Sequence, residues 1–257
     1  MKTVSSLSDP NIVEFLNLKE FNSKNKNLIC AQSEKVVLKL LKSPYKVLKI
    51  LSFKDFFIQN QSLLSQKSVH EQLFAEKDLL KKIIGHNHHQ GVFALANRPM
   101  FQPIDCLGNK ILILNGLTSP ENVGALSRTA AAFNINSLVI DNKTVDPYLK
   151  RCIRVSMGNI FQLKIHFTNN LPKTLLKLKN NNYEVVGTAN EKSSKKIEKH
   201  LFPKKVALII GSEGHGLDDD IKTLCDKTLK IEIEPHVMHL NAASAGAIFL
   251  YEMSKSL

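Results

Sequence analysis

Residues 206–220 read VALIIGSEGHGLDDD, and this stretch decides the fold. The apolar run of residues 206–210 predicts a strand that is buried on both faces. Three glycines among the next six residues predict a tight loop, because glycine adopts positive φ without steric strain. A short helix is predicted from Asp218 to Cys225. A strand, a glycine loop and a helix in this order often form a ligand site, although the glycine pattern alone is also typical of a turn.

The charges of this stretch indicate which ligand the loop would accept. Phosphate groups bind where bare N–H groups and the positive end of a helix dipole are exposed. Here Glu213 lies inside the loop, and three aspartates, Asp218 to Asp220, crowd the start of the helix. These carboxylates would repel an anionic ligand but not a positively charged sulfonium. The sequence therefore favours S-adenosylmethionine over a nucleotide phosphate.

Apolar runs of the same kind recur along the chain, and helical segments separate them. This alternation is typical of an α/β fold with a mainly parallel sheet and helices on both faces. The predicted strands are 110–115, 137–140, 183–188, 206–210 and 229–233, and the predicted helices are 122–133, 171–179, 218–225 and a small-residue helix from residue 242. The last helix is apolar almost all round, so we expect it to be buried, in part against a second subunit.

The first hundred residues predict a smaller α/β domain. Residues 1–20 are polar and weakly patterned, whereas residues 54–82 carry apolar residues at helical spacing. Two prolines between residues 98 and 107 indicate a linker, so we divide the chain into domains 1–103 and 104–257. Within the first domain we predict strands at 28–31, 46–52 and 91–96 and a helix at 34–41.

The chain carries a net charge of +12 over its 257 residues. Residues 1–103 have 15 basic against 8 acidic residues, and residues 104–257 have 20 against 15. An excess of positive charge in both parts suits a polyanion such as RNA, although lysine also serves solubility alone. Arginine is rare, and three of the four arginines (Arg128, Arg151 and Arg154) stand close together, where planar guanidinium groups would bind anions better than lysine.

Other classes of protein are disfavoured by composition. No apolar run approaches the roughly 20 residues of a membrane span, and the amino terminus lacks an apolar signal core, so we expect a cytoplasmic protein. The four cysteines lie far apart and form no C-x-x-C pair, as is typical of reduced thiols. The histidines at 86–89 and 236–239 lack partners at ligand spacing, so no metal site is predicted.

Residues 115–130 read NGLTSPENVGALSRTA, the end of a strand and the first turns of a helix. Asn122 stands near the helix start, where an amide often caps free N–H groups. Arg128 could form a surface ion pair or bind an anion. Gly124 weakens the helix by about 1 kcal/mol relative to alanine, which indicates a close approach there. The residues alone leave both interpretations of Asn122 and Arg128 open.

Three segments in this order resemble the motifs of the SpoU/TrmH family of RNA ribose 2′-O-methyltransferases, within the SPOUT superfamily. They are NVGALSRTA at 122–130, IGSEGHGL at 210–217 and IEIEPHVMHLNAASA at 231–245. RVSMG at 154–158 resembles the basic segment of that family, and HQGVFA at 89–94 resembles the end of its ribosomal-protein-like substrate-binding domain. The chain departs from the family at Glu232, where proline is usual, and at His239, where serine is usual.

The resemblance implies a C-terminal trefoil knot whose loops hold S-adenosylmethionine in a bent conformation. It also implies a homodimer in which the helix from Asn122 and the C-terminal helix form much of the interface. The residues implied in cofactor binding are Thr188, Gly211, Gly216, Ile231, Ile233 and Leu240.

The resemblance further implies methyl transfer to a ribose 2′-oxygen of RNA, with rRNA preferred to tRNA. The implied catalytic residues are Asn122, Arg128, Glu213 and Asn241, and the implied RNA-binding residues are Arg151, Arg154 and Ser156. Because a guanidinium stays protonated, Arg128 would clamp a phosphate or stabilise the alkoxide rather than act as a base. Glu213 would fix the loop or the arginine.

Two other classes of function stay open. A non-catalytic RNA-binding protein that has kept the fold is suggested by His239 and by the basic N-terminal part. A dinucleotide-dependent enzyme on an ordinary doubly wound sheet is disfavoured by Glu213 and by the three aspartates that follow.

Overall fold

The computed structural model describes residues 2–16, 18, 21, 25–84, 91–234 and 236–255. The chain forms two compact units. The first contains Met1–Met100 and Tyr148–Phe161, and the second contains Phe101–Pro147 and Gln162–Leu257. The single division predicted at residue 103 did not anticipate that residues 148–161 return to the first unit.

The described strands are Lys2–Val4 (β1), Leu28–Gln32 (β2), Val47–Ser52 (β3), Glu71–Ala75 (β4), Phe93–Asn97 (β5), Lys110–Asn115 (β6), Ser137–Asp141 (β7), Lys164–Thr168 (β8), Glu184–Thr188 (β9), Lys195–Lys196 (β10), Val206–Gly211 (β11) and Lys227–Lys230 (β12). The described α-helices are Glu34–Lys42 (α1), Lys54–Gln59 (α2), Gln61–Lys67 (α3), Lys77–Ile84 (α4), Pro120–Ala132 (α5), Lys150–Val155 (α6), Leu171–Asn180 (α7), Asp219–Leu224 (α8) and Ala242–Ser254 (α9). Short 3-10 helices span Pro10–Phe15, Ile104–Cys106, Asn159–Gln162 and Ile197–Lys199.

The first unit is a five-stranded sheet in the order β1-β4-β3-β5-β2. β5 runs antiparallel to β2 and β3, whereas β4 is parallel to both of its neighbours. Apolar side chains bury one core here, in which the rings of Phe15 and Phe93 meet edge to face. The predictions for β2, β3, β5 and α1 are confirmed.

Two elements of this unit differ from the predictions. β4 lies inside residues 54–82, which predicted helix alone, and its burial alternates as a strand requires. β1 lies inside residues 1–20, which predicted little structure, because three residues are too few to carry a periodic signal. The histidines at 86–89 and the start of the HQGVFA segment lie outside the described residues.

The second unit is a seven-stranded sheet in the order β10-β12-β9-β11-β6-β7-β8, and every described pair is parallel. This confirms the predicted α/β fold with a mainly parallel sheet. The predicted strand 229–233 instead ends at Lys230, so residues 231–233 leave the sheet. β8 was not predicted, because its alternating Lys164, His166 and Thr168 interrupt the apolar run expected of a buried strand.

The position of β11 in the centre of this sheet sets the location of the glycine loop. β11 pairs with β6 and β9, and its last residue, Gly211, lies opposite Asn115. The carboxyl ends of parallel strands share one edge of the sheet, which is where open α/β folds bind ligands. The loops after β6 and β11 therefore leave the sheet side by side.

The two helices that carry the predicted asparagines pack on each other. A Cβ on Gly246 of α9 would lie 2.2 Å from Leu126 Cδ2 of α5, so a close approach requires glycine there. α9 buries Phe249 and Leu250 but leaves Ile248 40% and Tyr251 50% exposed. Among the described residues, no helix combines the length and the apolar character that crossing a bilayer would require.

A buried histidine side chain lies beside the first residue of β9. The His200 side chain is 5% exposed, and its Nε2 lies 3.3 Å from Glu184 Oε2. Burial lowers the pKa of His200 below its ordinary value, Glu184 opposes this shift and Lys227 adds to it. The folded protein therefore holds the imidazole neutral more firmly than the unfolded chain does.

We predict that the free energy of unfolding falls as the pH drops from about 7.5 to about 5, because the unfolded chain then binds a proton that the folded protein disfavours. His200→Phe removes the titrating group and should flatten this decline, as measured by urea unfolding at several pH values. The exposed His70 supplies the control, since His70→Phe should keep the wild-type slope. Equal slopes for His200→Phe and the wild type would contradict the assignment.

Candidate active site

A cavity of about 310 Å³ opens at the carboxyl edge of β9, β11 and β12. Its walls come from residues 188–191, 210–217 and 229–231, together with Lys222, Ile233, His239, Leu240, Ala242, Ala245 and Phe249. All six residues predicted to bind a cofactor line it: Thr188, Gly211, Gly216, Ile231, Ile233 and Leu240. Segments that are far apart in the sequence thus line one cavity. The role of the six residues in cofactor binding stays a prediction.

The glycine loop is a tight hairpin that closes one side of the cavity. Ser212 and Gly216 exchange backbone hydrogen bonds of 3.0 and 2.9 Å, and Gly216 has a φ of 68°. A Cβ on Gly211 would lie 2.4 Å from the carbonyl carbon and oxygen of Gly216. Backbone atoms cannot yield as a flexible side chain would, so the hairpin requires glycine at position 211.

A carboxylate joins three of the four predicted catalytic residues. Glu213 Oε1 accepts hydrogen bonds from Asn122 Nδ2 and Asn241 Nδ2, each at 2.6 Å, and from the backbone N of Ala242 at 3.4 Å. Asn241 Nδ2 also lies 3.1 Å from Asn122 Oδ1. We call Asn122, Glu213 and Asn241 the amide–carboxylate cluster. These contacts link the glycine loop to both asparagines, and the role of Glu213 in catalysis stays a prediction.

Two helix starts hold the asparagines of this cluster. Ser119 caps α5 by accepting from the backbone N of Asn122, so the alternative reading of Asn122 as the cap is wrong. Its side-chain amide is therefore available to Glu213. Asn241 does cap its helix, since its Oδ1 accepts from the backbone N of Ala243 at 2.9 Å and of Ser244 at 3.2 Å. The side-chain oxygen of Asn241 thus caps α9, and its side-chain nitrogen donates to Glu213.

The aspartates that open α8 do not line the cavity. Asp218 Oδ2 lies 2.7 Å from Lys143 Nζ and 3.3 Å from Asn115 Nδ2. Hydrogen bonds from Lys143 and Asn115 hold the pKa of Asp218 below its usual value. The three aspartates therefore do not contribute to the cavity lining, and the charge of Asp218 is paired with Lys143 beside another loop.

Besides the predicted Glu213, three charged residues that sequence reasoning did not single out line the cavity. They are Glu191, Lys222 and Lys230, and His215 and His239 also line it. Glu191 Oε1 lies 3.0 Å from Lys222 Nζ, an ion pair between the segment after β9 and α8. The rule that ligands sit beyond the carboxyl ends of parallel strands could have indicated the segment after β9, but no local motif marks it.

Arg128 is not brought to the cluster within this chain. It is exposed on α5 and is not among the residues that line the cavity. At about 100° per residue, its separation from Asn122 turns it roughly 120° away from that side chain. Its catalytic role stays a prediction.

The three predicted RNA-binding residues lie on or just after α6. Arg151 and Arg154 are exposed, as contact with RNA requires. Ser156 is fully buried, and its hydroxyl donates to the carbonyl oxygen of Ile153 at 3.0 Å. We therefore withdraw Ser156 from the predicted RNA surface. Among the described residues, no group of three or more His, Cys, Asp or Glu side chains is placed to hold a metal ion.

The sequence of this chain is similar to those of known RNA methyltransferases. The family model described as the SpoU rRNA Methylase family matches residues 109–251. The 23S rRNA (guanosine-2′-O-)-methyltransferase RlmB of Acinetobacter baylyi is 31% identical over 187 residues, which cover 69% of this chain and 75% of that protein. An uncharacterized tRNA/rRNA methyltransferase of Mycobacterium tuberculosis (strain H37Rv) is 24% identical over 267 residues, which cover 100% of this chain and 92% of that protein.

Solved structures share the fold over nearly the whole chain. An AdoMet-bound rRNA methyltransferase from Sinorhizobium meliloti superposes with a TM-score of 0.84 at 22% identity, covering 98% of this chain and 97% of its own. The SpoU methyltransferase AviRb from Streptomyces viridochromogenes, in complex with AdoMet, gives 0.80 at 20% identity, covering 96% and 98%.

The hairpin geometry yields a prediction with an internal control. Gly211→Ala should destabilise the protein by more than about 1 kcal/mol, because its Cβ would meet backbone atoms of Gly216. Gly214→Ala, in the same loop, should change stability by less than about 0.5 kcal/mol, because nothing lies within 4 Å of its added Cβ. Urea unfolding of both variants measures the difference, and equal stabilities would refute the proposed clash.

Proposed function

This chain belongs to the SpoU rRNA methylase family, and from that membership we propose that it transfers a methyl group from S-adenosylmethionine to a ribose 2′-oxygen of RNA. We further propose that rRNA is preferred to tRNA and that the protein acts in the cytoplasm.

The observation that carries this proposal is the cavity at the sheet edge with the amide–carboxylate cluster among its loops. Its volume of about 310 Å³ lies at the lower end of the range typical of small-molecule sites. Ile231, Ile233 and Leu240 give it apolar walls that suit an adenine ring, while backbone groups of the glycine loop and the Glu191 carboxylate can orient a ribose. A mixed surface of this kind fits an adenosine carrying a charged sulfonium tail.

The chemistry requires alignment above all. S-adenosylmethionine supplies the methyl group and is released as its thioether. Holding two reactants in line can contribute about 7–11 kcal/mol of the barrier. Glu213 provides this alignment by tying the loops that carry Asn122 and Asn241 to the glycine hairpin. The asparagine side chains then orient the ribose next to the cavity.

We propose that the backbone of the second unit forms a trefoil knot around this cavity. The order of β9, β11 and β6 in the sheet supports it, as does the return of residues 239–245 past the glycine hairpin. We also propose that the first unit binds RNA, since residues 1–103 carry 15 basic against 8 acidic residues and Arg151 and Arg154 are exposed.

We propose a homodimer formed through α5 and α9. The exposed Ile248 and Tyr251 on α9 support such an interface. Arg128 does not line the cavity of its own chain, so in this arrangement it would serve the reaction from across the interface. Its guanidinium would clamp the phosphate beside the target ribose.

A non-catalytic RNA-binding protein is the second candidate, and His239 in the cavity is the observation that favours it. Calorimetry separates the two candidates. We expect the purified protein to bind S-adenosylmethionine, and we expect mapping of 2′-O-methyl groups in rRNA and tRNA to show one position that is lost when the gene is deleted. Gly211→Ala should bind the cofactor at least tenfold more weakly, and Gly214→Ala, whose added Cβ would meet nothing within 4 Å, serves as the matched control. A protein that binds no S-adenosylmethionine would favour the non-catalytic candidate.

The role of Arg128 gives a further prediction. Arg128→Lys should lose most of the methyl-transfer activity, because an ammonium cannot reproduce the two-point contact of a guanidinium with phosphate. Cofactor affinity should be unchanged, since Arg128 is not among the cavity-lining residues. Turnover is measured with tritiated S-adenosylmethionine and affinity by calorimetry. Near-normal turnover in this variant would eliminate the phosphate clamp.

A further inference from the structure

Methyl transfer to a hydroxyl needs a proton acceptor as well as a methyl donor, and this inference rests on the proposed function. The lone pair of the 2′-oxygen forms the new bond to carbon while the C–S bond breaks and its electrons pass to sulfur. The O–H proton must then move to a base, or positive charge would remain on the oxygen. A positioned base typically accelerates such a step by about 10²–10⁴-fold.

The carboxylates of the cavity are engaged in other contacts. Glu213 Oε1 accepts from Asn122, Asn241 and the backbone of Ala242. Glu191 is paired with Lys222, and the pKa of Lys222 is raised by its hydrogen bonds to Glu191 and Asp219, so that side chain remains protonated. The amides of the cluster have no basic nitrogen. These groups position the reactants but are poorly suited to remove a proton.

Two histidines remain among the described residues that line the cavity, and imidazole exchanges protons near neutral pH. His215 lies close enough to Asp218 for its charge to help lower the pKa of that carboxyl. Asp218 is bound to Lys143 and Asn115 and does not line the cavity. The imidazole of His215 is thus associated with the Asp218 network.

His239 lies in the segment that leads into the amide–carboxylate cluster. It is exposed, it lines the cavity, and its Cα lies within roughly 7 Å of the Cα of Asn241, because only two residue steps separate them. The charged or titratable groups around it are Glu234 and His236 on its own segment and, on the other elements that line the cavity, Glu191, Glu213, His215, Lys222 and Lys230.

We propose that His239 is the general base of the reaction, and that its imidazole accepts the proton of the ribose 2′-hydroxyl as the methyl group is transferred. A histidine in the cavity is then a working part of the site and not a sign of lost activity. His239 lines the cavity proposed to hold the sulfonium, so its protonation should disfavour the cationic methyl donor relative to the neutral thioether product.

The test compares the full-length wild type with His239→Asn, His239→Ser and His215→Asn. The matched control is His236→Asn, which changes an exposed histidine of the same segment that does not line the cavity. Single-turnover transfer from tritiated S-adenosylmethionine to pooled rRNA and tRNA transcripts is followed between about pH 5 and 8. Calorimetry over the same range gives the affinities for S-adenosylmethionine and S-adenosylhomocysteine.

We expect the wild-type rate to rise about tenfold per pH unit and then to reach a plateau. Both His239 variants should be at least about 100-fold slower at the plateau and should lose this break, while their affinity for S-adenosylmethionine at high pH stays within about threefold of the wild type. The preference of the wild type for the methyl donor over the thioether should grow with pH, and it should be constant in the variants. His236→Asn should behave as the wild type.

Two results overturn the proposal while leaving the proposed function intact. In one, the His239 variants keep the wild-type rate and pH profile. In the other, His215→Asn removes the break and the His239 variants do not. A wild-type protein that binds no S-adenosylmethionine overturns both the proposed function and the role of His239.

Discussion

The site depends on one oxygen atom, Glu213 Oε1. Its three donors belong to the start of α5, the residue before α9 and the first residue of α9. Two of these contacts are short hydrogen bonds to a carboxylate, which are stronger than bonds between neutral groups. Because Asn122 is far in the sequence from the adjacent donors Asn241 and Ala242, the three can meet only when the sheet and both helices are in place. The cluster therefore fixes the glycine loop to the starts of α5 and α9 once the second unit has folded.

A second network supports this arrangement from the neighbouring strand ends. Buried Asp141 accepts from the backbone N of Gly116 and of Thr144 and from the hydroxyl of Thr144. Its other oxygen accepts from Asn115, which in turn accepts from the backbone N of Asp218. These contacts fix the turn between β6 and α5 and link it to the start of α8. The turn before α5 is thus fixed by the contacts of Asp141, and the side chain of Asn122 is fixed by its hydrogen bond to Glu213.

The sequence predicted the parts of this structure that local patterns determine. Continuous apolar runs identified β6, β7, β9 and β11, because strands buried on both faces leave no room for polar side chains. β4 was assigned to a helix, since five residues beside helical segments do not establish a period of two. Ser156 was placed on the RNA surface from a motif, although its neighbours Cys152 and Ile153 are buried and only the structure shows which face of α6 is covered. The contacts of Asn122 with Glu213 could not be predicted, because no local signal encodes which loops meet.

The ligand preference inferred from the sequence reached the right class of ligand for an incomplete reason. Asp218 is neutralised by Lys143 and does not line the cavity, and the charge of Glu191 is balanced by Lys222. The charge of Glu213 is shared among three donors. Each of these carboxylates therefore makes hydrogen bonds or an ion pair within the chain. A bare anion would bind the cationic donor tightly before reaction, and uniform binding of that kind does not raise the rate of the chemical step. In the proposed reaction, apolar walls and hydrogen-bonded carboxylates would instead hold the nucleoside part, so that binding energy would align the donor with the ribose.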